Sequence, residues 1–375
     1  MARLLVALAC ALGLAACDEK TKAPEEASAL ASVRLSTPTA FEWVALRDGA
    51  ALLFAPRDDA AGAVVRRDFT RDARPKSEKS TRLLPPELAQ GELTDLAATA
   101  VGDALALAWV ERERGKARAF GAFVDANHPP RRVELGATFL PPRAARGNVT
   151  LVKQGDAALA FARLAETSCV NPHERGCSAF ELFTLSPDGA KTVGLPLVVP
   201  APCADHSALL AVVGERFHYA LCAGSEAEPK TTWFSIQPDP EYARADQVLA
   251  GCRPLAAFSW DGAAYLAGDC ERGRRFARVP GGDGRIEEGE LDSASCDGGK
   301  LGVRLGERRL VFSEPRAGLH AFFGTETLPR GARAVWTGAA LLVADAPAAR
   351  LSLSRFTCEG NVLRRAALET APAGR

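Results

Sequence analysis

The sequence predicts an all-β fold, a β-propeller of about seven blades, and three observations support this prediction. One hairpin unit recurs along the chain, with a turn glycine between two apolar strands. Apolar residues alternate with period two or form short continuous runs, and no segment keeps a 3.6-residue stripe beyond two helical turns. The spacing between hairpins is typical of four-stranded blades.

The hairpin unit is clearest at its first copy, where Phe41–Leu46 is followed by Asp48-Gly49 and by the apolar segment Ala50–Ala55. Primed hairpin turns need positive φ angles, which Asp-Gly supplies, so we expect such turns here and at Asp261-Gly262. Seven copies are visible, centred on Gly49, Gly102, Gly155, Gly214, Gly262, Gly306 and Gly338. Their spacings of 53, 53, 59, 48, 44 and 32 residues scatter around the length of one blade, about 40 to 50 residues.

Two of the hairpins carry a Trp-x-Gly sequence at the turn, Trp260-Asp261-Gly262 and Trp336-Thr337-Gly338. They resemble the hairpins of Kelch-type β-propellers. The double glycine of that family after the second strand is missing, so the resemblance implies a propeller and no particular subfamily. A pair of β-sandwiches is the alternative fold, since it also contains such hairpins. Recurrence along most of the chain favours the closed ring, and six or eight blades also fit it.

The N-terminus predicts export. An uncharged apolar run from Leu4 to Ala16 follows Arg3, and it is too short to cross a membrane but typical of a secretory signal peptide. It ends in Leu14-Ala15-Ala16-Cys17, which resembles the lipobox of bacterial lipoproteins. This resemblance implies cleavage between Ala16 and Cys17 and lipidation of the Cys17 thiol, with acyl chains that anchor the protein in a membrane. A signal peptide that is cut elsewhere is the alternative.

These features divide the chain into three parts: a signal peptide at 1–16, the lipidated cysteine and a flexible tether at 17–37, and the propeller at 38–375. The tether is rich in Glu, Lys, Ala and Ser and has no aromatic residue. We expect the protein in the bacterial cell envelope. Asp18 resembles the signal that keeps enteric lipoproteins on the inner membrane, but that rule differs between bacterial groups. Both the periplasmic face of the inner membrane and the outer membrane therefore stay open.

Eight cysteines remain besides Cys10 and Cys17, and an even number in an exported chain predicts disulfide bonds. Four of them occupy equivalent positions in two hairpins. Cys203 and Cys252 precede their turn glycines by eleven and ten residues, and Cys222 and Cys270 follow theirs by eight. Folding each hairpin brings the two cysteines face to face, so we predict Cys203–Cys222 and Cys252–Cys270.

The other four cysteines are paired by proximity and by elimination. Cys169 and Cys177 bracket a short loop and are expected to pair, which leaves Cys296 for Cys358. Cys169, His173 and Cys177 also have a spacing that suits metal ligands. A further ligand pair is missing and export favours oxidation, so no metal is predicted.

Charge and motifs exclude several classes of function. The chain has 46 basic and 46 acidic residues without a basic stripe, so no nucleic-acid partner is expected. It contains no Gly-x-Ser-x-Gly elbow, Walker loop or EF-hand loop. We therefore predict no catalytic residue and no cofactor, and Asp205-His206 is the acid and imidazole pair that most merits inspection.

The leading functional expectation is a lipid-anchored binding or scaffolding module, with an envelope protein or glycan as its partner. The longest stretches between hairpins, Arg57 to Glu92 and Ala126 to Gly147, are the expected contact surfaces. The alternative is an envelope hydrolase or lyase whose acidic or histidine residues line the propeller channel. A surface lipoprotein without a specific ligand is a third option.

Overall fold

The computed structural model describes residues 33–368, except 58–63, 78, 127–128, 139–148, 168–176, 200–208, 225–228, 237–242, 281–284, 293, 324–327 and 329–330. Within the described residues, the strands form seven antiparallel sheets. Three 3₁₀ helices accompany them, at Pro86–Leu88, Leu319–Phe322 and Pro347–Ala349. The protein is a seven-bladed β-propeller, which confirms the predicted fold.

The first five sheets each contain four strands in sequence order. The first sheet comprises β1 (Phe41–Leu46), β2 (Gly49–Phe54), β3 (Val65–Thr70) and β4 (Thr81–Arg82). The second comprises β5 (Glu92–Val101), β6 (Ala104–Glu113), β7 (Lys116–Val124) and β8 (Val133–Thr138). The third comprises β9 (Val149–Gln154), β10 (Ala157–Thr167), β11 (Cys177–Ser186) and β12 (Gly189–Val199).

The fourth sheet comprises β13 (Leu209–Val213), β14 (Arg216–Gly224), β15 (Pro229–Ile236) and β16 (Ala243–Val248). The fifth comprises β17 (Arg253–Trp260), β18 (Ala263–Cys270), β19 (Gly273–Pro280) and β20 (Glu287–Glu290). In the first four sheets, the first strand contacts the first strand of the next sheet. The first strands therefore form the inner end of the ring.

The last two sheets depart from the four-stranded pattern. The sixth has three strands, β21 (Ser295–Asp297), β22 (Lys300–Leu305) and β23 (Arg308–Phe312). The seventh has five, β24 (Arg316–Ala317), β25 (Arg333–Trp336), β26 (Ala340–Asp345), β27 (Ser352–Glu359) and β28 (Val362–Ala366). The difference arises because β24 pairs with β25 instead of joining the sheet that precedes it in sequence.

Apolar cores lie between neighbouring sheets. Phe41 and Trp43 of the first sheet share a core with Val335 and Leu342 of the seventh, so these two sheets are in direct contact. Another core combines side chains of the fifth, sixth and seventh sheets. Four of the five tryptophans are almost fully buried, and Trp260 is partly exposed. Burial of aromatic surface between blades therefore supplies much of the favourable free energy of folding.

The ring closes through the segment 33–36, which lies between the first and seventh sheets. The amide of Leu35 donates to the carbonyl of Ala349 (2.8 Å), and the amide of Arg57 donates to the carbonyl of Arg34 (2.7 Å). Leu35 is completely buried. The segment belongs to the range that we assigned to the flexible tether, so the packed body extends N-terminally to Val33. Because Leu35 is packed in the apolar core, the segment 33–36 is part of the ring.

Two of the predicted disulfides lie within the described residues. Cys252 and Cys270 are bonded with their Cα atoms 4.2 Å apart, at the end of the β17–β18 hairpin. Cys296 of the sixth sheet is bonded to Cys358 of the seventh, with a Cα–Cα distance of 5.6 Å. Cys177 and Cys222 are also disulfide-bonded. The cysteines predicted to pair with those two, Cys169 and Cys203, lie outside the described residues.

The two Asp-Gly hairpins differ in their turns. Asp261 and Gly262 have φ angles of 43° and 67°, so both central residues have the predicted positive φ. At the first hairpin Leu46 pairs with Gly49, and the loop residues are Arg47 and Asp48, neither of which has a positive φ. The predicted primed turn is therefore wrong at this hairpin, because the glycine begins β2 instead of occupying the loop.

The two long inter-hairpin stretches are not simple loops. Arg57 to Glu92 contains β3 and β4, and Ala126 to Gly147 contains β8. In the first two sheets, the sequence repeat covers only the first two strands, so it does not reveal the outer strands that follow them. The predicted contact surfaces therefore consist partly of strands and are not loops along their whole length.

We expect Gly49→Ala to destabilise the protein by about 3 kcal/mol or more. Gly49 has a φ of +148°, and a Cβ atom there would lie 2.0 Å from the backbone oxygen of Phe69. The matched control is Gly102→Ala, where φ is +60° and no atom lies within 4 Å of the added Cβ; it should cost about 1 kcal/mol. Urea unfolding of both variants measures the difference, and equal losses would contradict the steric explanation.

Candidate functional site

The alternative prediction, a hydrolase or lyase, places acidic or histidine residues at the inner end of the ring. The turns that join the first two strands of the first five sheets, and the turn between β25 and β26, lie on one face of the ring, which we call the turn face. Inner strands β1 and β25 contribute Glu42 and Arg333, whose side chains form an ion pair at 3.4 Å. Inner strand β5 contributes Asp95, which is buried and accepts a hydrogen bond from the amide of Leu96. These acids are engaged within the fold.

The irregular segment between the sixth and seventh sheets brings further side chains to the inner end. β24 contacts inner strand β1, and the 3₁₀ helix Leu319–Phe322 contacts inner strands β17 and β25. Arg316 pairs with Trp336, the last residue of β25 before its turn. Arg316 therefore lies near the turn face, between the fifth and first sheets.

Arg316 is surrounded by aromatic rings. Its guanidinium carbon lies 5.5 Å, 5.1 Å and 5.8 Å from the ring centroids of Phe258, Trp260 and Phe312, distances at which a cation is attracted to aromatic faces. Its Nη2 donates a hydrogen bond to the carbonyl oxygen of Ser259 at 2.6 Å. We call these four side chains, Arg316, Phe258, Trp260 and Phe312, the arginine–aromatic cluster.

The rings of the cluster are held in place from behind. Phe258 stacks on Tyr265 with the ring planes 6° apart and meets Phe322 edge-on. Trp260 meets Phe312 edge-on at a centroid distance of 5.1 Å. Tyr265, Phe312 and Phe322 are buried, whereas Phe258, Trp260 and Arg316 each keep part of their surface exposed. Buried rings therefore support the cluster, and three of its four side chains remain partly accessible to solvent.

The charge of Arg316 is not neutralised by any carboxylate in the described part of the chain. Burial lowers the pKa of its guanidinium to about 10, and no acidic group opposes this shift. The side chain remains a cation at neutral pH. The buried carboxylate of Glu111, by contrast, is paired: it accepts hydrogen bonds from Trp109 Nε1 at 2.6 Å and from Arg132 at 3.1 Å.

The cluster is suited to binding an anion. A guanidinium has five N–H donors, and Ser259 accepts from Nη2 only, so donors remain on the partly exposed side. A guanidinium does not exchange protons near neutral pH, which makes general acid or base catalysis by Arg316 unsuitable. In its sequence context Arg316 gives no signal, because its hydrogen-bond partner is 57 residues away. The sequence alone therefore does not single out Arg316.

Several residues singled out from the sequence lie outside the described residues: Ala16, Cys17, Cys169, His173, Cys203, Asp205 and His206. His218 is described and is buried in the fourth sheet, where its Nδ1 is 2.9 Å from the Ser235 hydroxyl. Across the described ranges, no group of three or more His, Cys, Asp or Glu side chains is arranged to hold a metal ion. The same ranges contain no helix with the length and apolar character of a membrane span.

Comparison with known proteins finds no matching protein-family model and no matching curated protein. Among solved structures, the chain is similar to an acylaminoacyl peptidase from Pyrococcus horikoshii, at 10% identity and a TM-score of 0.42, covering 91% of this chain and 53% of the peptidase. A Trypanosoma rangeli sialidase matches at 9% identity and a TM-score of 0.38, covering 85% and 58%. A prolyl endopeptidase matches at 15% identity and a TM-score of 0.45, covering 92% and 52%.

This chain thus spans slightly more than half the length of those hydrolases. Identities and TM-scores of this size concern the fold and assign no activity to the chain.

We expect His218 to make the protein less stable as the pH falls from about 6.5 to about 4. Burial, with a smaller contribution from Arg216, lowers the pKa of His218 from 6.5 to about 4. Below pH 6.5, His218 binds a proton in the unfolded chain but stays neutral in the folded protein. The contribution of this residue to the free energy of unfolding is therefore fully present above pH 6.5 and is lost on acidification, by up to about 3 kcal/mol.

Urea unfolding at pH 7.5 and pH 4.5 tests this expectation. His218→Gln should lose less stability than the wild type between the two pH values. Ser235→Ala is the control, since it removes the hydrogen-bond partner but keeps the imidazole, and it should retain the wild-type pH dependence. Identical pH dependence of the wild type and His218→Gln would show that another group is responsible.

Proposed function

We propose that the protein is a lipid-anchored lipoprotein of the bacterial cell envelope whose propeller binds a protein or glycan partner at its turn face. The apolar run that ends in Leu14-Ala15-Ala16-Cys17 supports the lipid anchor. The arginine–aromatic cluster supports binding. It places a cation without a counter-ion beside two aromatic rings that are partly exposed.

These features favour binding because they are unfavourable in the isolated protein. Burial of a charge without a partner costs free energy, and an exposed aromatic ring forgoes the burial that stabilises the other tryptophans. Arginine and tryptophan are enriched among the residues that contribute most to protein interfaces. A partner that covers the cluster compensates both deficits.

The position of the ring-closing segment leaves the cluster accessible. Leu35 forms an isolated β-bridge with Pro56, which follows the end of β2. Its amide donates a hydrogen bond to the carbonyl of Ala349, which lies between β26 and β27. Because β2 and β26 begin at the turn face, their ends lie on the opposite face. Leu35 therefore lies on the face away from Arg316, and the ring-closing segment does not cover the cluster.

An envelope hydrolase or lyase is the second candidate. Solved hydrolases share the propeller fold with this chain, at a level of similarity that assigns no activity. Its chemistry needs acidic groups that converge on a substrate. Glu42 lies on the innermost strand of the first sheet and is more exposed than the buried Asp95. Its ion pair with Arg333 would have to open before it could contact a substrate. Cleavage of a peptide or glycan that Glu42→Gln abolishes would establish this candidate.

We expect metabolic labelling with radioactive palmitate to label the wild-type protein but not Cys17→Ser. The thiol of Cys17 is the proposed attachment point, so its removal leaves no acceptor for the lipid. Cys10→Ser is the matched control, because Cys10 lies within the apolar run and should be removed with it. Equal labelling of the wild type and Cys17→Ser would refute the lipid anchor.

We expect Trp260→Ser to reduce capture of the partner from envelope extracts by about tenfold or more, as removal of a central interface residue does. Captured proteins and glycans are quantified by mass spectrometry against the wild type. Val362→Ser is the matched control, since Val362 is 56% exposed on the outer strand of the seventh sheet. Capture of the partner by Val362→Ser should equal capture by the wild type. Undiminished capture by Trp260→Ser would exclude the cluster as the binding site.

A further inference from the structure

The proposed function leaves open which chemical group the arginine–aromatic cluster binds. We infer that the cluster binds the C-terminal carboxylate of a peptide chain, with the last apolar side chain of that peptide against Phe258 and Trp260. This inference rests on the proposed binding function and narrows the partner to a protein with an accessible C-terminus.

The charge and donors of Arg316 select a carboxylate. One cation without a counter-ion matches one negative charge, and a planar guanidinium presents its N–H groups in a fork that fits the two oxygens of a carboxylate. A phosphate dianion carries more charge than one guanidinium neutralises. The described groups that interact with the guanidinium, three aromatic rings and the Ser259 carbonyl, include no second cation.

The surroundings of Arg316 favour a peptide over an acidic sugar. The rings of Phe258, Trp260 and Phe312 lie within 6 Å of its guanidinium carbon. A sugar acid brings several hydroxyl groups, and each hydroxyl that is removed from water needs a hydrogen-bond partner. An aromatic surface supplies few such partners, whereas it packs well against an apolar side chain.

The compactness of the cluster favours a chain terminus over an internal Asp or Glu. The guanidinium lies 5.1 to 5.8 Å from all three ring centroids, so anion and apolar group must be presented close together. In the last residue of a peptide, the carboxylate and the side chain leave the same Cα atom. An internal acidic residue offers its carboxylate at the end of its own side chain, without an apolar group beside it.

Calorimetric titration of the full-length protein in detergent tests the inference. The probes are an acetylated tripeptide that ends in leucine with a free carboxylate, the same peptide as its C-terminal amide, and a trimer of galacturonic acid. We expect the free acid to bind at least about tenfold more tightly than the amide, because only the acid forms charge-assisted hydrogen bonds with Arg316.

Two arginine variants separate binding from folding. Arg316→Met should reduce binding of the free acid to the level of the amide while its thermal unfolding midpoint equals or exceeds that of the wild type, because an apolar side chain replaces a buried, unpaired charge. Arg364→Met is the control. Arg364 is exposed and paired with Glu359 on the seventh sheet, and its loss should leave binding unchanged.

Three outcomes overturn the inference: equal affinity for acid and amide, full binding by a folded Arg316→Met protein, or Arg316-dependent binding of the galacturonic acid trimer without binding of the peptide. These outcomes are distinguishable from failure of the proposed function. If Trp260→Ser abolishes partner capture but the peptide acid does not bind, the binding function stands and only the carboxylate assignment fails.

Discussion

Backbone hydrogen bonds from residues 33–36 hold the first and seventh sheets together, and the packing of the other blades depends on this closure. Each sheet is built from consecutive strands, so no exchanged strand locks the described ring. Closure instead relies on the buried Leu35 and on the core that Trp43 shares with Leu342. This short segment thus supplies hydrogen-bond partners to backbone groups beside both sheets that would otherwise be unpaired. The disulfide between Cys296 and Cys358 adds a covalent link between the last two sheets.

The irregular end of the ring is also what creates the arginine–aromatic cluster. The sixth sheet has three strands, and the chain after it crosses to pair with β25, carrying Arg316 to the inner end beside β17. A regular fourth strand in the sixth sheet would not bring this side chain against Phe258 and Trp260. A departure from the repeat thereby yields a chemically distinctive surface, as is common where function resides on repetitive scaffolds.

The fold was predictable because it follows from local signals, and the candidate site was not because it depends on contacts distant in sequence. Alternating apolar residues and turn glycines such as Gly262 mark the inner hairpins, and equivalent positions along them paired Cys252 with Cys270. The outer strands β3, β4 and β8 carry weaker patterns, which do not distinguish them from loops. Arg316 looks like any surface arginine in the sequence, since its rings come from β17 and β23. Only the closed ring brings them together.

The closing contact has a consequence for how the chain matures. Leu35 and Ala349 are hydrogen-bonded although they lie near opposite ends of the described chain. Contacts between residues so distant in sequence form late in folding. Until the last blade has been synthesised, the apolar faces around Trp43 and Leu342 have no partner. A nascent chain with such faces is prone to aggregation and is a natural client for holdase chaperones in the compartment where it folds.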